Sequence, residues 1–570
     1  MSRRLDGGSQ ERRRRLGRRR ERGFGRYAAR LVAFGLLAGA GLVAALALGI
    51  SAGSASDRPA GSTSTSPATV TSTAPEVLAI SGHGYGHGLG LSQWGAYGYA
   101  LHGLDADRIL AHYYAGTTLG TLPARTVRVL LRRGKRVTLT SISPWRAVDA
   151  AGTTVRLEPG TTTLGAASKL DGKTMVMPVT FAASAPLQVD GALYRGKIVV
   201  SRTARTFDAV DVAGLEAYVK GVVAAEVPSN WPAAALQAQA VAARSYALAN
   251  LRKGGDFDVY DDTRDQVYGG VAAETPETNA AVDATRGRVV LYGGTVADTL
   301  FFSTSGGRTA SAADVLGTPI PYLVSVADPY DTASPYHDWG PVLFDAAKAA
   351  AKLKVQAPLA GVTATPGASG RVQTLTVTGV DDSASTFTGA QVRAALDLRS
   401  TWFTPSLYAL GPSATTITYG GAASLNGAVQ DAGAASLEAK PFGKDWAAAG
   451  PVAPAAGGSF STIVKPQVRT SYRLASGRVR AGLATVLVAP RVDATISSPG
   501  AQGTVHPAVV GAAVQLQRSS GGAWTTVSST ATDATGAFSF GGPLAPGEYR
   551  VRCAPGGGLQ PGLSATGSVP

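Results

Sequence analysis

The hydrophobic and polar positions change character several times along the chain. Leu31 to Ala52 is a continuous apolar run without a charged residue, about long enough to cross a bilayer as a helix. Residues 53–76 are rich in Ser, Thr, Ala and Pro and read as a flexible linker with no core to bury. From residue 77 the pattern predicts a globular part. Leu78 to Ile80 reads as a short strand, which runs into a loop with glycine at 82, 84, 86, 88 and 90. Such a series lets the backbone adopt positive φ and approach a partner closely. Ser92 is placed to cap a helix with Trp94, Tyr97 and Leu101 at helical spacing. LDADRILAHYYAGTTLG predicts a second amphipathic helix ending near Gly116. Residues 125–210 hold TVRVLL, RVTLT, TTVRLE, MVMPVTF, LQVDG and KIVVSRT, short alternating or β-branched runs separated by turn residues.

Residues 214–252 read as helix, break, helix, with Pro232 in a first turn and Gly254–Gly255 as the stop. Strands return in RVVLY and DTLFFSTS, followed by a Gly306–Gly307 turn. From 410 the chain repeats itself. Residues 410–490 and 491–570 each run through strands, a tryptophan (Trp446, Trp524), a Phe-bearing edge (Phe460; Phe538 and Phe540) and a Tyr-Arg pair (Tyr472-Arg473, Tyr549-Arg550). Two small immunoglobulin-like β-sandwiches are expected there, modules that more often space or bind than catalyse. The expected fold class is α+β: a domain over 77–409 with a β-rich part and a helical pair, then the two sandwiches.

Composition changes this picture at the amino terminus. The chain has 570 residues, enough for several domains, and a net charge of +15. Residues 1–30 hold twelve arginines against three acidic residues, so +9 of the charge lies there and only +6 on the other 540 residues. The basic balance is therefore weak support for nucleic acid binding, and no nucleic acid partner is expected. Residues 1–30 read as a cytoplasmic n-region. Arginines before the apolar run and none directly after it place the remainder outside the cytoplasm. Two readings of 31–52 fit, a retained membrane anchor and a signal peptide cleaved near SAGSA at 51–55. The single cysteine, Cys553, leaves an exported chain without an internal disulfide and reads as a half-buried strand residue.

Among candidate chemical groups, Glu226 stands out. It sits at the break between the two helices, flanked by Ala225 and Val227 and followed by Pro228 and Trp231. Burial favours the protonated form of a carboxyl group, which a general acid needs near neutral pH. A solvated or ion-paired helix-end carboxylate is the plain alternative. His83 and His87 are four apart, but glycines on both sides argue against a helix and no third ligand follows at a diagnostic spacing. They read as hydrogen-bonding groups of a cleft rather than metal ligands. Ser92 and Gln93 read as polar cleft residues, and Trp94 as core. The glycine series lacks the spacing and acidic partner of a dinucleotide site.

Five stretches together resemble the SpoIID/LytB family: GLEAYVKGVVAAEVPSNWPAAALQAQAVAARSYAL (214–248), DFDVYDDTRDQVYGG (256–270), TRGRVVLYGGTVADTLFFSTSGGRT with PYLVSVADPYD, TGAQVRAALDLRSTWF (388–403), and GHGYGHGLGLSQWGAYGYA, with its GHGxGHG-type segment at 82–96. The resemblance implies an extracytoplasmic protein of the cell wall, anchored or secreted. Its sporulation D relatives are lytic transglycosylases of peptidoglycan glycan strands, and its LytB relatives enhance an N-acetylmuramoyl-L-alanine amidase. The family's catalytic glutamate corresponds to Glu226. One acid then suffices: it protonates the glycosidic oxygen and afterwards takes the proton of the sugar's own 6-hydroxyl as a 1,6-anhydro ring closes. A two-carboxylate glycosidase works differently.

Arg244 and Tyr246 correspond to the family's Arg-[Ser/Thr]-Tyr and are expected at the substrate, Arg244 with an ion pair as its alternative. An arginine close to Glu226 would favour the ionised carboxylate, so a sugar-facing Arg244 suits an acid better.

Two departures from the family are visible. In many relatives the GHGxGHG-type segment follows the motif matched by 388–403, whereas here it comes first. Some relatives also place Cys and His where this chain has Tyr260, Arg264 and Asp265. Tyrosine and arginine are poor zinc ligands, so no metal and no cofactor is expected.

Overall fold

The computed structural model describes residues 76–166 and 169–570. The n-region, the apolar run and all of the linker except Glu76 lie outside the described residues. Among the described residues no helix is long and apolar enough to cross a membrane. The architecture is a strand-rich α+β assembly.

The centre of the molecule is a seven-stranded sheet in the order 259–260, 126–134, 207–214, 197–202, 179–183, 145–148, 154–157. All its pairings are antiparallel except that of Val259–Tyr260 with Val129–Leu130. Its key member is Phe207–Gly214, of which all but Val212 and Gly214 are buried. A strand enclosed on both faces loses the two-residue alternation, which is why the pattern reading stopped at 210. This strand feeds without a loop into the helix Leu215–Glu226, with Gly214 as N-cap. A four-stranded sheet (192–194, 187–189, 137–141, 160–164) closes over the same apolar core.

The second helix of the pair, Ala233–Ala249, is apolar nearly all round, and 12 of its 17 residues are buried. Ala235, Leu236, Ala240, Ala243 and Ala247 face the central core. Ala238, Val241 and Ala242 face a second core built with the helices Gln93–Leu101 and Ala106–Tyr113. A helix wrapped on all sides by protein reads as apolar all round, and alanine lets both neighbours come close.

A five-stranded sheet runs 338–345, 77–83, 403–412, 423–430, 459–464. Alternate residues of its shared strands point into different cores. Leu78, Ile80 and Leu407 face the core under residues 346–398. Ala79, Tyr408 and Leu410 face the core of the first β-sandwich. The boundary expected at 410 falls inside the strand Phe403–Pro412. Gly82 is paired with Phe403, and the His83 N–H donates to the Trp402 carbonyl at 2.9 Å. The early GHGYGHG segment therefore lies beside Trp402 and Phe403, as if it continued from them.

The first sandwich is completed by the sheet 416–418, 479–489, 470–476, 435–441, 447–452. The second packs 491–497, 500–506 and 537–541 against 513–520, 523–531 and 547–554. In both, the Tyr of the Tyr-Arg pair (Tyr472, Tyr549) is buried in the core. The neighbouring arginine points the other way and stacks on the tryptophan: Arg473 on Trp446 at 4.1 Å and Arg550 on Trp524 at 4.3 Å. Alternation along a strand produces both placements. Cys553 is fully buried rather than half-buried, and burial pushes its thiol upward.

Candidate functional site

Glu226 is the last residue of its helix, and Val227, extended at φ −130° and ψ 153°, turns the chain away. The carboxylate thus faces the negative end of the helix dipole. It is half-buried. The Val267 N–H donates to Oε1 at 3.2 Å, and the Gln93 amide Nε2 donates to Oε2 at 3.4 Å. Beside it stands an aromatic corner. Trp231 lies 5.1 Å from Trp94 and 5.1 Å from Tyr97, and Trp94 lies 5.5 Å from Tyr97, measured between ring centroids. Trp231 is buried, while Trp94 and Tyr97 are half-buried. The site is thus assembled from three distant stretches: the break after Leu215–Glu226, the start of Gln93–Leu101, and the loop at 266–268.

Gln93 reaches Glu226 because Ser92 ends a two-residue strand paired with Phe301–Phe302 and caps the next helix. Ser92 Oγ accepts from the Gly95 N–H at 3.1 Å and is fully buried, so it positions Gln93 rather than lining the cleft itself. Gly84, Gly86, Gly88 and Gly90 take φ of 73°, 121°, 89° and 71°, as the glycine series predicts, whereas Gly82 belongs to the strand Val77–His83. Residues 84–90 bridge to the strip 301–310 through Tyr85–Thr304 and Leu89–Ala310.

His87 donates from Nε2 to the Phe301 carbonyl at 3.0 Å and accepts at Nδ1 from the Leu89 N–H at 3.1 Å. These two bonds select its neutral form. Burial, helped by the nearby Arg393, lowers its pKa to about 4. The Tyr246 ring stands edge-on to Phe301, 6.2 Å away, so His87 and Tyr246 meet at one residue. His83 lies at the far end of the glycine segment. Its Nδ1 is 2.6 Å from Asp338 Oδ1 and its ring is 5.0 Å from Trp402.

Arg244 departs most from its expected place. It is 0% exposed, and its guanidinium forks onto Glu216 at 2.7 and 3.0 Å while also donating to the carbonyls of Arg288 and Val282. A fully enclosed guanidinium cannot reach a substituent on a sugar. It is the ion-pair alternative that the structure realises, with Glu216 rather than Glu226 as partner. At the positions where some relatives hold metal-ligand types, Arg264 stacks on the Tyr260 ring at 3.6 Å and Asp265 pairs with Arg252 at 2.8 Å.

Several contributors escaped the sequence reading. The Val267 donor is a backbone N–H, which has no residue signature. Asp328 and Asp331 are fully buried. Asp328 accepts from Tyr113 Oη at 2.9 Å. Asp331 accepts from Ser305 Oγ at 2.8 Å and lies 2.6 Å from His337 Nδ1. Two acidic residues three apart in PYLVSVADPYD carry no local pattern of their own, and only their enclosure sets them apart.

Comparison with known proteins matches residues 203–292 to the SpoIID stage II sporulation protein family. A protein of Brachyspira hyodysenteriae without an assigned role is 39% identical over 141 residues, covering 24% of this chain and 38% of that one. The amidase enhancer of Bacillus subtilis is 37% identical over 113 residues, covering 20% of this chain and 15% of the relative. Stage II sporulation protein D of the same species is 33% identical over 223 residues, covering 36% of this chain and 64% of the relative. The chain thus spans less than two thirds of the length of each of these relatives. Among solved structures, a two-domain fibronectin type III segment of chicken tenascin covers 28% of this chain and 97% of that one. Its TM-score of 0.19 and identity of 14% are too low to support any inference.

Proposed function

Because the chain belongs to the SpoIID/LytB family through residues 203–292, we propose that it is an extracytoplasmic cell-wall protein that cleaves peptidoglycan glycan strands as a lytic transglycosylase. The observation that supports this most is the setting of Glu226: a half-buried carboxyl at a helix end, held by the Val267 N–H and the Gln93 amide beside the Trp94–Tyr97–Trp231 corner. The half-buried Trp94 and Tyr97, packed on the buried Trp231, offer apolar surface for sugar rings. Glu226 gives its proton to the glycosidic oxygen as the bond to the muramic acid breaks. It then takes the proton of that sugar's 6-hydroxyl as the oxygen closes the 1,6-anhydro ring. The proton inventory returns to its start, and neither an attacking water nor a second carboxylate enters. Gln93 and the Val267 N–H orient the carboxyl for both transfers.

The test uses the purified protein, peptide-free glycan strands, and mass spectrometry of the products. Fragments ending in 1,6-anhydro-muramic acid are expected from the parent. Glu226→Gln lowers their rate by about 100- to 10,000-fold and leaves glycan binding in place. A Glu226→Gln chain that cleaves like the parent would sink the assignment.

The likeness to a relative named amidase enhancer supports a second reading, a non-catalytic wall-binding activator of an N-acetylmuramoyl-L-alanine amidase. Strands that bind yet stay intact, with amidase stimulation unchanged by Glu226→Gln, would establish that reading instead.

A further inference from the structure

The donor that holds Glu226 Oε1 belongs to the main chain at Val267, so something must hold that stretch in place. Its two flanking side chains are both enclosed. Gln266 is 2% exposed and Tyr268 is 5% exposed. The Gln266 amide bridges the helical pair. Its Oε1 accepts from Tyr218 Oη at 3.1 Å, on the helix that ends in Glu226, and its Nε2 donates to the Ala243 carbonyl at 3.3 Å, on the next helix. Tyr268 Oη donates to Asp211 Oδ2 at 2.8 Å, on the buried strand that leads into the Glu226 helix.

The Tyr268 ring also lies against Gly221 on that helix, where a Cβ would come within 2.5 Å of a ring carbon. The Gly269 N–H donates to the Gly221 carbonyl at 3.1 Å. Residues 266–269 are therefore tied to the strand before Glu226, to its own helix and to the helix after it. Asp211 is fully buried, and burial raises its carboxyl to about 6 against hydrogen bonds from Tyr268 and the Gly196 backbone. A buried acid beside a buried tyrosine is a costly arrangement unless the bond between them is kept.

We propose that Gln266 and Tyr268, the latter through Asp211, are positioning residues that hold the Val267 N–H against Glu226 and so set the orientation of its carboxyl group. The proposal rests on Glu226 being the acid of glycan cleavage for its kinetic consequence, but not for its geometric one. Both side chains are enclosed, so each acts only through the Val267 main chain.

Two measurements on the full-length protein test it. The first is glycan cleavage with peptide-free strands. Tyr268→Phe keeps the ring on Gly221 and removes only the hydroxyl. It is expected to lower kcat by about 100-fold, the cost of a misplacement of about 1 Å, with KM and glycan affinity unchanged and cooperative melting retained. Asp211→Asn keeps an oxygen for the tyrosine hydroxyl and retains most of kcat. Asp211→Leu removes that oxygen and falls with Tyr268→Phe. Parent-like turnover in Tyr268→Phe overturns the proposal. So does a loss in which KM, binding and melting fail together, since that marks a merely structural role.

The second measurement needs no activity. Hydrogen exchange of the Val267 amide is expected to be slow in the parent and fast in Tyr268→Phe and in Glu226→Ala, which removes the accepting oxygen, with the sheet amides unchanged. If the parent cleaves no glycan, the transglycosylase reading fails while this arm still decides the positioning. A Val267 amide equally protected in all three chains overturns it.

Discussion

Asp211 and Asp328 are both fully enclosed, and burial is the main cause that raises each carboxyl from 3.8 to about 6. For Asp328 the nearby Asp331 adds to the effect, while bonds from Ser305, Tyr113 and Ser92 oppose it. A carboxyl whose pKa is raised on folding stabilises fully below the unfolded value and loses that contribution as pH rises through the folded value. The window here is about 4 to 6. Asp328→Asn is therefore expected to gain stability relative to the parent as pH rises across this window, by at most about 3 kcal/mol. Denaturant melts at pH 4 and pH 7 check it, and a pH-independent difference would refute it. His87 has the opposite sign. Its pKa is lowered to about 4, so its contribution is present above 6.5 and lost as pH falls toward 4. His87→Gln should lose less stability than the parent between those two pH values, measured in the same melts.

The helical pair shows how a single ion pair can hold several elements together. Glu216, in the first turn of its helix, receives the Arg244 guanidinium from the second helix and the Gly287 N–H at 3.1 Å from the turn before strand Arg288–Tyr292. Removing one partner of a buried pair strands the other charge without water. Glu216→Ala is expected to cost about 3–5 kcal/mol in denaturant unfolding, because Arg244 stays enclosed. Replacing both residues with apolar ones of similar size should recover much of that loss, since the desolvated charge is gone. A Glu216→Ala chain as stable as the parent would show that Arg244 finds another partner.

Across the described residues, the strands Val77–His83 and Phe403–Pro412 and two strands of the first sandwich, 423–430 and 459–464, share one sheet, with different apolar cores on its two faces. A chain ended at 409 would uncover Ala79 and Tyr408 and leave an open strand edge. Such edges template aggregation. It should melt lower than the parent and associate in solution, whereas a chain ended at 490 keeps every strand of the first sandwich, losing the contacts of residues 558–560 with it, and should melt cooperatively. Calorimetry with light scattering separates the two cases, and equal behaviour of both truncations would contradict the shared wall.

Local pattern alone determined a good deal of this protein. Period-two runs marked strands at 126–134, 137–141 and 197–202, and the Ser92 cap marked its helix, because side-chain alternation and capping are short-range physics. The repeated Trp and Tyr-Arg positions marked the two sandwiches in the same way. Glu226 and Gln93 were both legible as candidate groups, one by its apolar neighbours and one by its place after a glycine loop. What joins them was not legible, because 133 residues separate them. The buried strand Phe207–Gly214 hid its period by being enclosed on both sides. The Val267 donor has no side-chain identity to read. Arg244 looked like a binding residue because a sequence shows a charge but not its enclosure. Only the tertiary structure decided which charges are dry, which backbone groups face the carboxylate, and where residue 82 meets residue 403. Those outcomes depend on long-range packing and desolvation, and neither is a property of any local stretch of chain.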